Sequence, residues 1–415
     1  MKISVVNKWD IGGGAARAAW RLASKLKQSH DLIYYVNVKE SNFDYVHLVD
    51  QFIGKEEEEG LCQWKKIDEN RTDVSSTYFS CSLVTLDDEV IAEICASDVI
   101  NLHWIEKFIS PDTLTKLANS GKPIVWTLHD ERPFTGGCHY TNGCYEFSTN
   151  TCRNCIQLKD NSHRLAHKVL KDKITALKNA DLTIVTPSKW LGEQAKKSEL
   201  FGKHRVEVIP NSLEIDIYKP TDKTLAKKQL GIDPSEFVIL FGAQSAKEKR
   251  KGFDELVKAT EYFDKMRQEL SARPVRILTF GEAAVEDWEI STPIQSLGTI
   301  SEDEKLALVY SAADVFVIPS KEDNLPNTIL ESMACGTPVI GFNIGGVGDL
   351  VRNNETGFLV PIISSVGLAH AMLNSLVDES HLNKLSAYCV DFARIGYNQN
   401  VQSRNYIKLF HELLA

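Results

Sequence analysis

The chain has no apolar run near the roughly 18 residues that a membrane span needs. Nor has it an excess of positive charge. Its 47 Lys+Arg stand against 56 Asp+Glu, a formal net charge of −9. That balance argues against general nucleic-acid binding and against tight adhesion to an anionic membrane. The opening residues MKISVVNKWD lack the apolar core of a secretory signal. No internal repeat or low-complexity tract interrupts the chain. Together these absences lead us to expect a cytoplasmic protein, at most peripheral to the inner face of a membrane, with reduced thiols.

What is present fits a globular protein. Hydrophobic residues make up 43% and charged residues 25%, both ordinary values. At 415 residues the chain exceeds the size at which one core keeps growing, so two domains are expected.

The first half alternates apolar strand patterns with helical ones. Ile3-Ser4-Val5-Val6 leads into Gly12-Gly13-Gly14 and an Ala/Arg/Leu helix over 15–26. Strand, glycine loop and helix are the opening of a doubly wound α/β domain. A dinucleotide fingerprint needs glycine at its sixth place, where Arg17 stands, so a dehydrogenase is excluded by its own motif. Strands follow at 32–36, 99–103, 124–130 and 182–186, and their ends carry His103, His129, Asp130 and Ser188. Parallel sheets bind ligands beyond those ends. The acidic stretch 55–73 reads as a surface excursion, and the polar stretch Tyr218 to Asp222 as an interdomain linker. The boundaries expected are 1–208 for the N-terminal domain and 209–395 for the C-terminal one. Residues 396–415 form a last helix packing back on the first domain.

The second half repeats the alternation, with strands at 237–242, 275–280, 315–318 and 338–342. Lys247, Lys249, Arg250 and Lys251 crowd the loop before the helix that starts at Phe253, a position suited to a diphosphate. After Val315-Phe316-Val317-Ile318 comes an acidic loop. A helix follows with Pro326 in its first turn and Glu331 one turn further in. Carboxylates accept hydrogen bonds from sugar hydroxyls, and helix N-termini attract phosphate. Both needs meet in a nucleotide-sugar site.

Several motifs occur in order along the chain: the Gly12–Gly14 loop, Thr186-Pro187-Ser188, Ile209-Pro210-Asn211, Arg250-Lys251-Gly252, Leu297-Gly298-Thr299-Ile300, Pro319-Ser320, Asp323 through Glu331, Met333 through Ile340, and Gly345-Gly346. In them the chain resembles a retaining family 4 glycosyltransferase, closest to a polysaccharide-biosynthesis subgroup with a cysteine-containing loop. The resemblance implies an α/β GT-B architecture of two Rossmann-like doubly wound domains facing a central cleft. It implies transfer from a UDP- or GDP-linked sugar to a saccharide or lipid-linked acceptor, with retention and without a catalytic metal.

The roles it implies fall on particular residues. Glu331 would accept from the ribose hydroxyls, and Asp323 would hold a donor-sugar hydroxyl at a place where the family usually has glutamate. Arg250 and Lys251 would neutralise the leaving diphosphate with backbone N–H groups near Asn327, Thr328, Gly13 and Gly14. Leu297 to Ile300 would bracket the base. Asn324 and Leu325, standing in the family's Gly-Phe-Gly, would adjoin the donor, and His129 would face sugar and acceptor. The departing phosphate would itself deprotonate the acceptor. Two rivals remain: a nucleotide-sugar epimerase of the same fold, and a noncatalytic subunit docking through its cysteine loop.

That loop holds Cys138, Cys144, Cys152 and Cys155, spaced C-x5-C-x7-C-x2-C. A structural tetrahedral zinc, disulfides and free thiols are all open readings, with zinc favoured in a reducing compartment. His139 is a candidate substitute for one thiol. An iron–sulfur cluster is less suited, since nothing else in the chain suggests redox chemistry.

Overall fold

The computed structural model describes residues 1–53, 67–75, 77–82, 84–245, 248–268, 270, 273–282 and 290–415. Most of the acidic stretch 55–73, Cys62 and Lys247 lie outside them. Two compact units emerge, one of Met1–Asn211 with Gln399–Ala415 and one of Ser212–Asn398. Among the described residues no helix is long and apolar enough to cross a membrane.

The N-terminal unit is built on β1 (Lys2–Trp9), β2 (Asp31–Val38), β3 (Val46–Leu48), β6 (Val99–Leu102), β7 (Ile124–Thr127), β8 (Leu182–Thr186) and β9 (Arg205–Val208). A short antiparallel pair, β4 (Phe52–Ile53) and β5 (Thr85–Leu86), stands apart. The main sheet runs β3-β2-β1-β6-β7-β8-β9, every pair parallel. Side chains alternate between its faces as a pleated strand requires. Ile124 and Trp126 enter one core and Val125 the other. The second of these cores is closed by the helices Gly13–Lys27 and Gln399–Leu414, through Leu22, Tyr406 and Phe410.

The C-terminal unit holds β10 (Phe237–Ser245), β11 (Val275–Glu282), β12 (Ile294–Ser296), β13 (Val315–Ile318), β14 (Val339–Phe342) and β15 (Gly357–Val360). Their order is β12-β11-β10-β13-β14-β15, again all parallel. Val238 and Leu240 face one core, Ile239 and Phe241 the other. Burial on both faces is why these strands read as unbroken apolar runs. The α/β, doubly wound class is as expected.

The fold corrects three details. Tyr218–Asp222 is no linker: Tyr218 is fully buried inside the C-terminal unit and its hydroxyl donates to Asp303 at 3.0 Å. The first helix begins at Gly13 rather than at residue 15. Pro326 is the N-cap of the helix Asn327–Ala334, not part of its first turn.

In each sheet the chain reverses its direction of travel once, between β1 and β6 and between β10 and β13. Loops leaving the C-terminal ends of such neighbouring strands diverge, opening a crevice where ligands bind.

Candidate active site

At the C-terminal switch point, the loop after β10 meets the loop after β13. Lys249–Lys251 forms one turn of 3-10 helix, and Gly252 then starts the helix Phe253–Arg267. Gly252 has φ +67°, and a Cβ there would run into the carbonyl of Pro319. Only glycine lets the two loops approach so closely. Lys321 N donates to Arg250 O at 2.7 Å and fixes the contact.

The side chains converge there. Lys251 Nζ lies 2.6 Å from Asp323 Oδ2, and Arg250 Nη1 lies 3.2 Å from the same oxygen. Arg250 also pairs with Glu248 at 2.6 Å and donates to Glu322 O at 3.2 Å. Ser320 Oγ donates to Asp323 Oδ2, and Asn324 N donates to its Oδ1. Burial alone would raise the Asp323 carboxyl, but the adjacent Lys251 and Arg250 outweigh it and hold the group below the usual carboxylate range. So Asp323, expected to hold a sugar hydroxyl, is the buried counter-ion of both cations. Asn324 and Leu325 are buried beside it, Leu325 within the core.

The helix Asn327–Ala334 follows directly. Pro326 contributes no side-chain cap and no acidic residue stands in the first turn, so Asn327 and Thr328 occupy a positive helix end. Glu331, 4% exposed, accepts from Tyr310 Oη at 3.3 Å. Tyr310 packs edge-on against Phe280 at the end of β11. The next residue, Gly281, donates to Gly298 O at 2.8 Å, and Leu297 N donates to Thr279 O at 2.8 Å. Glu331 is thereby linked through Tyr310 and β11 to the Leu297–Ile300 loop, whose Leu297 and Ile300 pack on the same core.

The N-terminal switch point is different. Gly13 and Gly14 are exposed at an uncapped helix start, Gly13 at φ +81° with open space where a Cβ would stand. Asp10 beneath them accepts from the backbone N–H groups of Ile11, Glu40 and Ser41, tying the loops after β1 and β2 together. After β6 and β7, His103 Nδ1 and His129 Nε2 lie 3.0 Å apart with stacked rings. Burial pushes the His129 imidazole down to about 4 against the opposing pull of Asp130. Asp130 itself accepts from Trp104 Nε1 at 2.8 Å and meets His139 Nδ1 at 2.7 Å. Ser188 caps the helix Lys189–Lys197 through Leu191 N.

His139 uses its other nitrogen on Ser80 Oγ at 2.7 Å. With both ring nitrogens committed, it does not stand in for a thiol, contrary to expectation. Cys138, Cys144, Cys152 and Cys155 line one small cavity with Glu146 and Phe79, with about 10 Å³ of water-sized space. None of the four is joined in a disulfide. Among the described residues no three His, Cys, Asp or Glu side chains are drawn together at metal-ligand geometry. Backbone N–H groups nevertheless reach the sulfurs: Glu146 to Cys144, Gly136 to Cys152, and Gln157 and Leu158 to Cys155. The base of the loop is pinned by buried Lys173, whose Nζ donates to Arg132 O and Thr135 O, both at 2.7 Å.

Lys173 carried no signal in the sequence. Asn101, Tyr310 and Ser320 were equally invisible as partners. Strand-end position had marked His103, but not its pairing with His129.

Two doubly wound parallel units are the parts of a GT-B fold, and solved structures of that fold align with this chain. Residues 236–378 match the family described as Glycosyl transferases group 1, so the C-terminal unit carries a domain of that family. Relatives include the D-inositol 3-phosphate glycosyltransferase of Rhodococcus erythropolis, 31% identical over 208 residues, which are 46% of this chain and 45% of that protein. The same-named protein of Segniliparus rotundus is 32% identical over 168 residues, 38% of this chain and 36% of its own length. The chain thus matches less than half the length of these relatives. Among solved structures, sucrose-phosphate synthase from Thermosynechococcus elongatus aligns with TM-score 0.70 at 18% identity, over 100% of this chain and 99% of its own. HepE from Anabaena in complex with UDP aligns with TM-score 0.66 at 15% identity, over 99% and 100%. At such identities the shared property is the fold.

Proposed function

We propose that the protein is a retaining glycosyltransferase. It would move a sugar from a UDP- or GDP-linked donor to a saccharide or lipid-linked acceptor in surface-polysaccharide synthesis. The observation that carries this reading is the cluster of Arg250, Lys251 and Asp323 at a switch point, beside the uncapped helix start at Asn327. Cleaving an anomeric bond to diphosphate leaves negative charge on the departing group. Preorganised cations and N–H groups stabilise that charge, each worth about 3 to 4 kcal/mol of barrier. Arg250 and Lys251 would hold the diphosphate, with Asp323 keeping both cations aimed. Backbone N–H groups near Asn327, Thr328, Gly13 and Gly14 would aid the two cations, Glu331 would accept from the ribose, Leu297 to Ile300 would flank the base, and His129 would face the sugar and acceptor. No catalytic metal is needed, because fixed cations supply its charge. The bound UDP and UDP-glucose of the HepE structures agree with such a donor.

Release of nucleoside diphosphate, measured over a panel of donors with an acceptor extract, tests the reading. Glu331→Ala should lose well over tenfold, because a buried hydrogen-bonding carboxylate disappears. No turnover by the wild type, or full turnover by that variant, would overturn the proposal. Conversion of the donor without any acceptor would instead mark an epimerase. Retention is read from the anomeric configuration of the product. The location proposed is cytoplasmic, at most peripheral to the membrane's inner face, which fractionation would test.

The cysteine loop adds a structural zinc to the proposal. Four thiols around one cavity, three of them already receiving backbone N–H groups, suit a thiolate-bound ion that would draw the sulfurs inward. Metal analysis of the full chain purified under reduction should find one zinc per chain, lost in Cys155→Ser. Metal-free protein that takes up no zinc would exclude it.

A further inference from the structure

Asn7, buried in β1, holds two tryptophans by their backbones. Its Nδ2 donates to Trp9 O at 2.6 Å, and its Oδ1 accepts from Trp104 N at 2.7 Å. Lys8 N donates to Trp104 O at 2.8 Å, and Tyr34 Oη to Trp9 O at 3.2 Å. The end of β1 and the turn after β6, the two sides of the N-terminal switch point, are thus stitched together. On this base the indoles stack, with centroids 5.3 Å apart and planes 24° from parallel. Offset aromatic pairs attract at that separation. Trp104 is fixed further by its Nε1, which donates to buried Asp130. Both tryptophans nevertheless stay partly exposed.

The stack has neighbours on two sides. Gly12 packs against the root of Trp9, since a Cβ there would lie 3.6 Å from Trp9 Cγ. On the other side, the Trp104 ring lies 5.7 Å from His139, and His139 carries Tyr78 edge-on at 5.8 Å. His139 is buried, but Tyr78 is 64% exposed. Contact by contact, the aromatic series leads from the glycine loop out to Tyr78.

Rings already immobilised cost a ligand little further ordering. A pyranose suits them: its hydroxyls lie on the rim, and the C–H groups of its face carry slight positive charge that matches the negative face of an indole. Organic cations are the other common guest of such rings. They would meet the positive charge of Lys8 and Lys107, joined on the same turn from Lys8 Nζ to Lys107 O at 3.1 Å.

We propose that Trp9 and Trp104 form a stacking platform for one sugar ring of the acceptor, with Tyr78 a second contact for a ring beyond it. The proposal rests on the glycosyltransferase reading and narrows its acceptor to an oligosaccharide. A monosaccharide or a polyol would reach only one of the two surfaces.

The test is 19F NMR on the full chain labelled with 5-fluorotryptophan, in which Trp9→Phe and Trp104→Phe assign two of the seven tryptophan resonances. The probes are short linear oligosaccharides of glucose, galactose, mannose and N-acetylglucosamine, their monosaccharides, inositol phosphate, and the acceptor extract. The extract or at least one oligosaccharide should shift both resonances, and the monosaccharides should do so more weakly. Silence of both resonances to every saccharide and to the extract, or an equal response to inositol phosphate, would overturn the proposal. In transfer assays, Trp104→Ala should raise the acceptor KM about tenfold while the donor KM stays near wild type. Tyr78→Ala should raise the acceptor KM about threefold, and only for acceptors longer than one ring. Should Trp104→Ala not fold, the wild-type spectrum and Tyr78→Ala decide. Saccharide binding in a protein that transfers no sugar would sink the glycosyltransferase reading and leave the platform standing. Transfer with an unmoved acceptor KM in these variants would sink the platform alone.

Discussion

The two sheets share one topology and one rule for placing loops, yet their switch points are furnished in opposite ways. In the C-terminal unit, charge is concentrated: Arg250 and Lys251 share the buried Asp323. In the N-terminal unit, charge is avoided at the same topological place. His103 and His129 are held neutral, and the nearby carboxylates are consumed, Asp10 by backbone N–H groups and Asp130 by Trp104 and His139. A parallel sheet supplies a crevice without dictating what it binds. The side chains gather two cations around one acid in one crevice and neutral imidazoles in the other.

The sharpest way to break the contrast is Gly252→Ala. A Cβ at φ +67° against Pro319 O would strain the turn that carries Arg250 and Lys251. We expect a loss of more than about 3 kcal/mol in urea unfolding of the C-terminal unit, or no fold at all.

Asp323→Asn comes next. Removing the counter-ion should cost about 2 kcal/mol, less than for a fully buried pair because Lys251 is partly exposed. The pH dependence follows from the depressed carboxyl. Its contribution is present above the unfolded value of about 3.9 and is lost as the pH falls through the lower folded one. The Asn variant should lack that acid limb.

The neutral switch point predicts a dependence of the same sign in a higher pH window. His129, faced by His103 and Asp130, titrates near 4 in the fold and near 6.5 in the unfolded chain. Between those values the unfolded state binds the proton that the fold refuses, so stability rises with pH across the window. His129→Gln should flatten that slope, worth about 1 kcal/mol given the partial exposure of the ring. Thermal melts from pH 4 to 7 would show it. Least disruptive is Tyr406→Phe. Thr127 keeps the Asn101 amide, so a loss near 0.5 kcal/mol in chemical unfolding is expected.

What could be read in advance was whatever the chain states locally. Val315 to Ile318 is apolar at every position because both faces of its strand are covered, and that pattern needs no partner to be seen. Arg250-Lys251-Gly252 announced a loop at a helix start for the same reason. Pairings across the sheet were beyond reach. Lys251 and Asp323 stand 72 positions apart. The Asn101 amide finds Val125 O only because β6 and β7 pair Asn101 with Val125. Tyr218 misled in the other direction, since a polar neighbourhood in sequence hid a side chain that the fold buries completely. Composition reports average exposure, and a single aromatic can contradict it.

The last helix, Gln399–Leu414, belongs to the N-terminal unit, where Tyr406, Leu409 and Phe410 share a core with Ile3, Val5 and Leu22. The C-terminal unit is uninterrupted in sequence, while the N-terminal unit is assembled from both flanks of it. On a ribosome, therefore, the unit begun first is the one completed last. Its apolar face against the helix Gly13–Lys27 waits uncovered until the final helix emerges, while residues 212–398 can already condense. Closing that face spans nearly the whole chain, the kind of distant contact that slows folding.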